Sequence, residues 1–397
     1  MESQRLGDYI VCNPTVKLKK GQQCQLTDID SITIGQKYPI SKGLVIYDGQ
    51  SGSKFSKGDT IMARITPCLE NGKIAMYNGE EDSIGSTELF VFRGKEGVST
   101  NEFVYYFFKQ DWIRNYAANS MTGASGRQRA DIKFIQKAKV QFPPLATQQK
   151  VASILSAYDS QIENNQKRIK LLEQMAENLY KEWFVRFRFP GYESAEFKDG
   201  TPIGWKDLQA QDVFNITIGR TPSRKVFEFF STERENNCSW ISISDMKNGM
   251  FIKDTSEYLT PEALKACNMP MVKANTVLLS FKLTVGKVAI SLEETSTNEA
   301  IAHFNTDDHT LKEYTYLYLK CFNYSKLGNT SAIGNAINST IVKNMSFILP
   351  SKDIILEFHK QAKPLFDGIL NLTQQISSLT HQRDLLLPRL MSGKLSI

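Results

Sequence analysis

Paired cysteines are missing from this chain. Its six cysteines (Cys12, Cys24, Cys68, Cys238, Cys267, Cys321) stand singly, with no CxxC pair, and only four histidines accompany them. Disulfide frameworks and zinc ribbons need closer or more regular spacing, so free thiols in a reducing compartment are expected. Long apolar runs are missing as well: none reaches the ~18 residues that a membrane-crossing helix needs. The opening MESQRLGDYI has neither the basic nor the apolar zone of a secretory leader, which points to the cytoplasm.

Motifs of catalysis are also absent. No GxGxxG or Walker loop is present to cradle phosphates. Amino-methyl transfer would call for a (D/N)PP(Y/F) tetrapeptide. Asn13-Pro14-Thr15 lacks the second proline and the aromatic, and Pro143-Pro144 has no acid or amide before it. No PD…(D/E)xK nuclease pattern stands out. The paired acids Glu80-Glu81-Asp82, Glu293-Glu294 and Asp307-Asp308 lie in turn-like contexts and read as solvated loops. The chain is therefore expected to hold no catalytic, cofactor or metal site of its own. A large excess of charge of one sign is missing too. The net charge is +6, with residues 1–145 at +4 and residues 191–350 at −2. A local basic patch on a nearly neutral domain can still bind a polyanion.

What is present is one unit written twice. At 397 residues and 41% hydrophobic the chain is large enough for two cores. Gly58-Asp59-Thr60-Ile61-Met62 corresponds to Ala274-Asn275-Thr276-Val277-Leu278, and Gly72-Lys73-Ile74-Ala75 to Gly286-Lys287-Val288-Ala289. Ser86-Thr87-Glu88 matches Thr297-Asn298-Glu299, and Phe103–Phe107 matches Tyr314–Tyr318. Val140-Gln141-Phe142-Pro143 matches Phe347-Ile348-Leu349-Pro350. The offset shrinks from 216 to 207, as loops of unequal length require. So long a period means two copies of a whole domain. Runs such as ELFVFRG (88–94) and TVLLSFKL (276–283), broken by Gly, Asn and Asp, predict a twisted, largely antiparallel sheet in each copy, with short helices at 101–117 and 312–322.

Each copy is followed by a helical pattern. Leu155, Tyr158, Ile162, Asn165, Ile169, Leu172, Ala176, Leu179 and Trp183 alternate in steps of three and four. Phe358, Ala362, Leu365, Ile369, Leu372, Ile376, Leu379, Arg383 and Leu386 continue a similar rhythm. A 3.5-residue period is a coiled-coil seam, so the two helices are expected to pair antiparallel. The 28 steps from Leu155 to Trp183 span about 42 Å at ~1.5 Å per residue. Asn165 sits where a buried amide can fix register. Arg383 occupies a core position likewise, or, being near a helix end, snorkels to water. Pro388 is expected to end the second helix, and Pro364 to kink it or begin its straight part. The linker 186–205 carries Pro190, Gly191, Gly200 and Pro202. The organisation expected is α+β: mixed α/β domains at 1–144 and 188–350, with long helices at 145–187 and 351–397, the latter including the tail.

With that frame in place, the chain resembles the specificity subunit of type I restriction-modification systems. The likeness rests on FPPLATQQKVASILSAYDSQIENNQKRIKLLEQMAENLYKEWF (142–184), IGRTPSRK (218–225), WISISDMKNG (240–249), TVLLSFKLTVGKVAI (276–290) and RDLLLPRLMSGKLSI (383–397), in order along almost the whole chain. The resemblance implies two target recognition domains, each reading one half of a split double-stranded DNA site. It implies helices that space them and dock two methyltransferase subunits, which bind S-adenosylmethionine, and motor-nuclease subunits that join for restriction. The alternative is a non-enzymatic coiled-coil scaffold with two protein-binding heads. About 42 Å is slightly more than the ~34–36 Å turn of B-DNA, so both readers would meet the duplex from one side.

Candidate DNA contacts are thinner. Arg127, Gln128 and Arg129 sit on the Gly-rich loop TGASGRQR; arginine pairs with guanine and glutamine with adenine, and the loop reads equally as a structural connection. Lys17, Lys19 and Lys20 suit phosphates or a solvated face. In the second domain Arg220, Thr221, Ser223, Arg224 and Lys225 cluster after a turn. Lys282 and Lys287 flank a strand-turn-strand in which Lys73 is the first-domain counterpart of Lys287. Asn335 and Asn338 lie on the loop equivalent to Arg127–Arg129, where amides read adenine or close turns.

Overall fold

The computed structural model describes residues 3–124, 126–198, 200–247, 249–252, 254–327 and 337–395. They form two units: Met1–Gln166 with Gln374–Ile397, and Lys167–Thr373.

In the first unit the strands Ile10–Cys12, Leu89–Gly94, Thr60–Ala63 and Ile74–Met76 lie side by side in that order, all antiparallel. A second sheet runs Leu44–Ile46, Gln23–Leu26, Ser83–Gly85, Ser53–Phe55, with one parallel pair, Gln23–Leu26 against Ser83–Gly85. The helix Asn101–Lys109, capped by the Thr100 hydroxyl, buries six consecutive residues, Phe103–Phe108. A helix buried on every side lies inside a core rather than over one. Phe108 stacks on Phe92 with ring centroids 3.8 Å apart, and Phe142 closes against Tyr9, Phe103 and Phe107. Burying each such ring contributes roughly 2 kcal/mol.

The second unit repeats the plan. Asn215–Ile218, Ile301–Asn305, Val277–Ser280 and Val288–Ser291 take the places of the first four strands in the same order, and Phe251–Ile252 adds a parallel edge. The helix Lys312–Cys321 replaces Asn101–Lys109. The duplicated glycines have a physical reason. Gly72 and Gly286 both close the turn before the equivalent strand at φ +71° and +86°. A side chain at Gly72 would run into the Arg114 guanidinium, and one at Gly286 would sit 3.1 Å from the Tyr324 ring.

Two long helices, Leu145–Tyr180 and Lys352–Met391, complete the units; the first ends in a π-helical turn, Lys181–Val185. Within each unit the helix segments pair antiparallel. In the first, Asn165 donates to the Gln375 side chain at 3.1 Å and Arg383 pairs with Asp159. In the second, Leu172 lies against Gly368, and Trp183 and Phe184 pack on Phe358. Every seam position is buried or half-buried. Leu155, Ile162, Asn165, Ala176, Trp183, Phe358, Ala362, Ile369, Leu372 and Arg383 are fully buried; Tyr158, Ile169, Leu172, Leu179, Leu365, Ile376, Leu379 and Leu386 are partly so. Phe366 and Leu387, off the strict period, are buried as well, as is Leu390, because each helix also packs on the globular core of its unit.

The structure bears on three sequence expectations. Arg383 does not reach water: it is 2% exposed, its guanidinium bonded to Asp159 at 2.6 Å and to Asp384. Pro388 does not stop the helix, which continues to Met391. The missing N–H costs one bond, while Leu387 and Leu390 on either side are buried in the first unit's core and hold the turn. Pro364 lies inside the continuous helix, which starts at Lys352 and carries the proline on its exposed side. No helix among the described residues is long and apolar enough to cross a membrane.

Candidate nucleic-acid interface

In each unit the loops at one end of the main sheet gather most of the basic residues singled out above. In the first, strand Thr60–Ala63 leaves the sheet into the turn 64–73, beside the residues that lead into Leu89–Gly94. The loop 122–130 is laced onto this end. The amides and carbonyls of Arg129 and Thr122 exchange bonds, Thr66 and Gln128 bond through backbone and hydroxyl at 3.0 and 3.1 Å, and Ala130 donates to the Arg64 carbonyl. Lys73, Arg127, Gln128 and Arg129 thus come together.

Their roles differ. Arg129 clasps Glu88 through Nε and Nη2 at 2.6–2.9 Å, and this bond holds the Glu88 carboxyl below its ordinary range. Lys73 is half-buried, donating to the Ile29 carbonyl at 2.9 Å, with Asp30 at 4.0 Å. Arg127 is exposed and its guanidinium has no partner among the described residues. Lys17, Lys19 and Lys20 are exposed, on the stretch leading to Gln23–Leu26, an inner strand of the other sheet.

In the second unit, strands Asn215–Ile218 and Val277–Ser280 both run antiparallel to Ile301–Asn305 and leave the sheet at the same end. Their exits are the loop 219–226 and the turn 281–287, so Arg220, Thr221, Ser223, Arg224, Lys225, Lys282 and Lys287 share that end. Arg220 donates to the carbonyls of Cys267 and Asn268, and Thr221 to Glu299. Arg224 makes a two-point pair with Glu257 at 2.6 and 2.8 Å and lies over the Phe230 and Trp240 rings, so the carboxyl of Glu257 is held low. Lys225, Ser223 and Lys282 are exposed and Lys287 is half-buried. Asn338 caps the helix Ser339–Lys343, its side chain accepting from Ile341 at 2.9 Å, which matches Asp131 at the head of Ile132–Gln136. Asn335 lies outside the described residues.

Sequence reasoning passed over the residues that brace these loops. Glu88 and Glu299 occupy one duplicated position, and each ties a basic loop to its sheet end. The duplicated triplet was the available signal, and its role appears only when the loops are folded over it. Arg64 and Glu257 gave no signal of their own.

Sheet order, helix pairing and this twice-built loop end define a duplicated two-domain protein with paired spacer helices. The model of the type I restriction modification DNA specificity domain matches residues 1–174 and again 202–379. The chain therefore belongs to the type I restriction-modification specificity family and carries its domain twice. It is 24% identical over 412 residues to the type I restriction enzyme HindI specificity subunit of Haemophilus influenzae, covering 87% of this chain and 88% of that protein. It is 26% identical to the MjaIX specificity subunit of Methanocaldococcus jannaschii, over 76% of this chain and 71% of that one. The type I S subunit from M. genitalium shares the fold, with a TM-score of 0.57 at 13% identity over 98% and 95% of the two chains.

Proposed function

We propose that this chain is the non-catalytic subunit that reads an asymmetric, two-part double-stranded DNA target, one domain per half-site, and docks methyltransferase subunits through its helices. The observation that carries the reading is the duplicated sheet end. The same frame is built twice, yet its loops present different side chains: Arg127, Gln128 and Lys73 in one copy, Lys225, Lys282 and Lys287 in the other. Two readers with one frame and different loop residues suit two different words. Exposed lysine and arginine supply phosphate attraction, and the groups held by Glu88 and Glu257 give each loop a fixed shape.

S-adenosylmethionine would belong to the methyltransferase subunits, and motor-nuclease subunits would join the same assembly in the cytoplasm. The test is co-purification of the chain with its methyltransferase, followed by mapping of methylated adenines. The expected result is one sequence of two unlike words separated by unread bases. A single contiguous word, or a methyltransferase that modifies the same sites without this chain, would overturn the reading.

A further inference from the structure

The turn 281–287 presents an apolar side chain where the lysines led one to expect only charge. Leu283 is 98% exposed, more than any other large apolar residue among those described, and Phe227, just past the loop 219–226, follows at 84%. Isolated apolar residues on a surface are ordinary, but Leu283 is also held in place. Its φ is +60°, a left-handed conformation that a leucine adopts only when its surroundings impose it.

The surroundings are specific. The Ser280 hydroxyl donates to the Thr284 carbonyl at 2.6 Å and accepts from the Lys287 amide at 3.0 Å. Thr284 donates back to the Lys282 carbonyl, Gly286 donates to the Ser280 carbonyl, and the Tyr324 ring lies beneath Gly286. Phe281, buried just before the tip, fixes the stem. Lys282, exposed, and Lys287 stand on either side of the leucine. The first unit has no such tip: in its counterpart turn Leu69 is buried and Ile65 half-buried, and the turn is closed by Gln128.

We propose that Leu283 is an apolar base-contacting residue of the second reader, pressed against the bases of its half-site while Lys282 and Lys287 engage the flanking phosphates. The assignment rests on the DNA reading above. A rigid apolar tip between cations complements a duplex: the base stack is the apolar surface, and phosphates border it on both sides. Apolar contact releases no counterions, whereas a lysine on a phosphate does, so the two kinds of residue leave different marks on the salt dependence.

The experiment uses the assembled complex with its methyltransferase and the duplex identified by methylation mapping, titrated over a series of salt concentrations. Leu283→Ala is expected to weaken binding by about tenfold with the salt slope unchanged, and Leu283→Met to retain most of the affinity. Lys282→Ala is expected to weaken binding and lower the slope by about one. A Leu283→Ala complex that binds within twofold of wild type would overturn the assignment alone. So would a variant that loses its methyltransferase while assembled complexes bind normally, since Leu283 would then belong to a protein contact. A wild-type complex without duplex affinity would overturn the DNA reading itself.

Discussion

Arg127 and Arg129 stand two residues apart on one loop and have different work to do. Arg129 spends its guanidinium on Glu88, shaping the loop, while Arg127 projects without a partner among the described residues. Arg127→Ala is therefore expected to weaken DNA binding and reduce the salt slope by about one, with the fold unchanged. Equilibrium titrations at several salt concentrations check this, and an unaltered slope would assign Arg127 to solvent. His303 is a second residue with a measurable consequence. It is fully buried between Thr217 and Thr297, with ring nitrogens 2.8 and 2.7 Å from their hydroxyls, and burial pushes its pKa down from 6.5 to about 4. The folded imidazole stays neutral where the unfolded one would bind a proton. Its contribution is thus fully present above about pH 6.5 and is lost as pH falls towards 4, up to about 3 kcal/mol. Urea unfolding across that range should show the decline for wild type and less of it for His303→Gln.

Among the elements, the long helices carry polar groups inside their seam. Arg383 and Asp159 are buried together, Tyr106 donates to the same carboxylate at 2.6 Å, and burial together with the Asp159 charge pushes the Tyr106 hydroxyl pKa up. Removing Asp159 leaves the buried guanidinium only the exposed Asp384, so Asp159→Leu is expected to cost up to about 3–5 kcal/mol, whereas the double variant Asp159→Leu/Arg383→Leu recovers most of it. Denaturant midpoints of the two variants decide the matter; a double variant no more stable than Asp159→Leu would mean that no stranded charge is relieved. The Asn165–Gln375 bond is the natural register pin, since an amide facing a leucine in a slipped pairing would lose its partner.

At the scale of the molecule, the proposal that the long helices set the spacing of the two half-sites makes a quantitative claim. A heptad added to both long helices, beside Gln166 and Gln374, preserves the phase of the seam and adds about 10.5 Å of helix. At ~3.4 Å per base pair this should widen the unread gap by about three base pairs and leave both words intact. Methylation mapping of the insertion variant reads the gap directly; an unaltered gap would refute the proposal.

Much of this architecture was legible because its signals are periodic or repeated. A seam at 3.5 residues shows on any helix, and a domain written twice betrays itself through pairs such as Gly72 and Gly286, where backbone geometry leaves no substitute. The sequence by itself determined the duplication, the paired helices and the lack of familiar catalytic motifs. Tertiary structure alone decided which charges are free. Arg127, Arg129 and Arg224 are chemically alike in a sequence, but Glu88 and Glu257 reach two of them from loops 41 and 33 residues away. It also decided that Arg383 is buried, that Pro388 lies within a helix, and that Leu283 points outward, because burial depends on which distant surfaces fold over a residue and not on its neighbours in the chain.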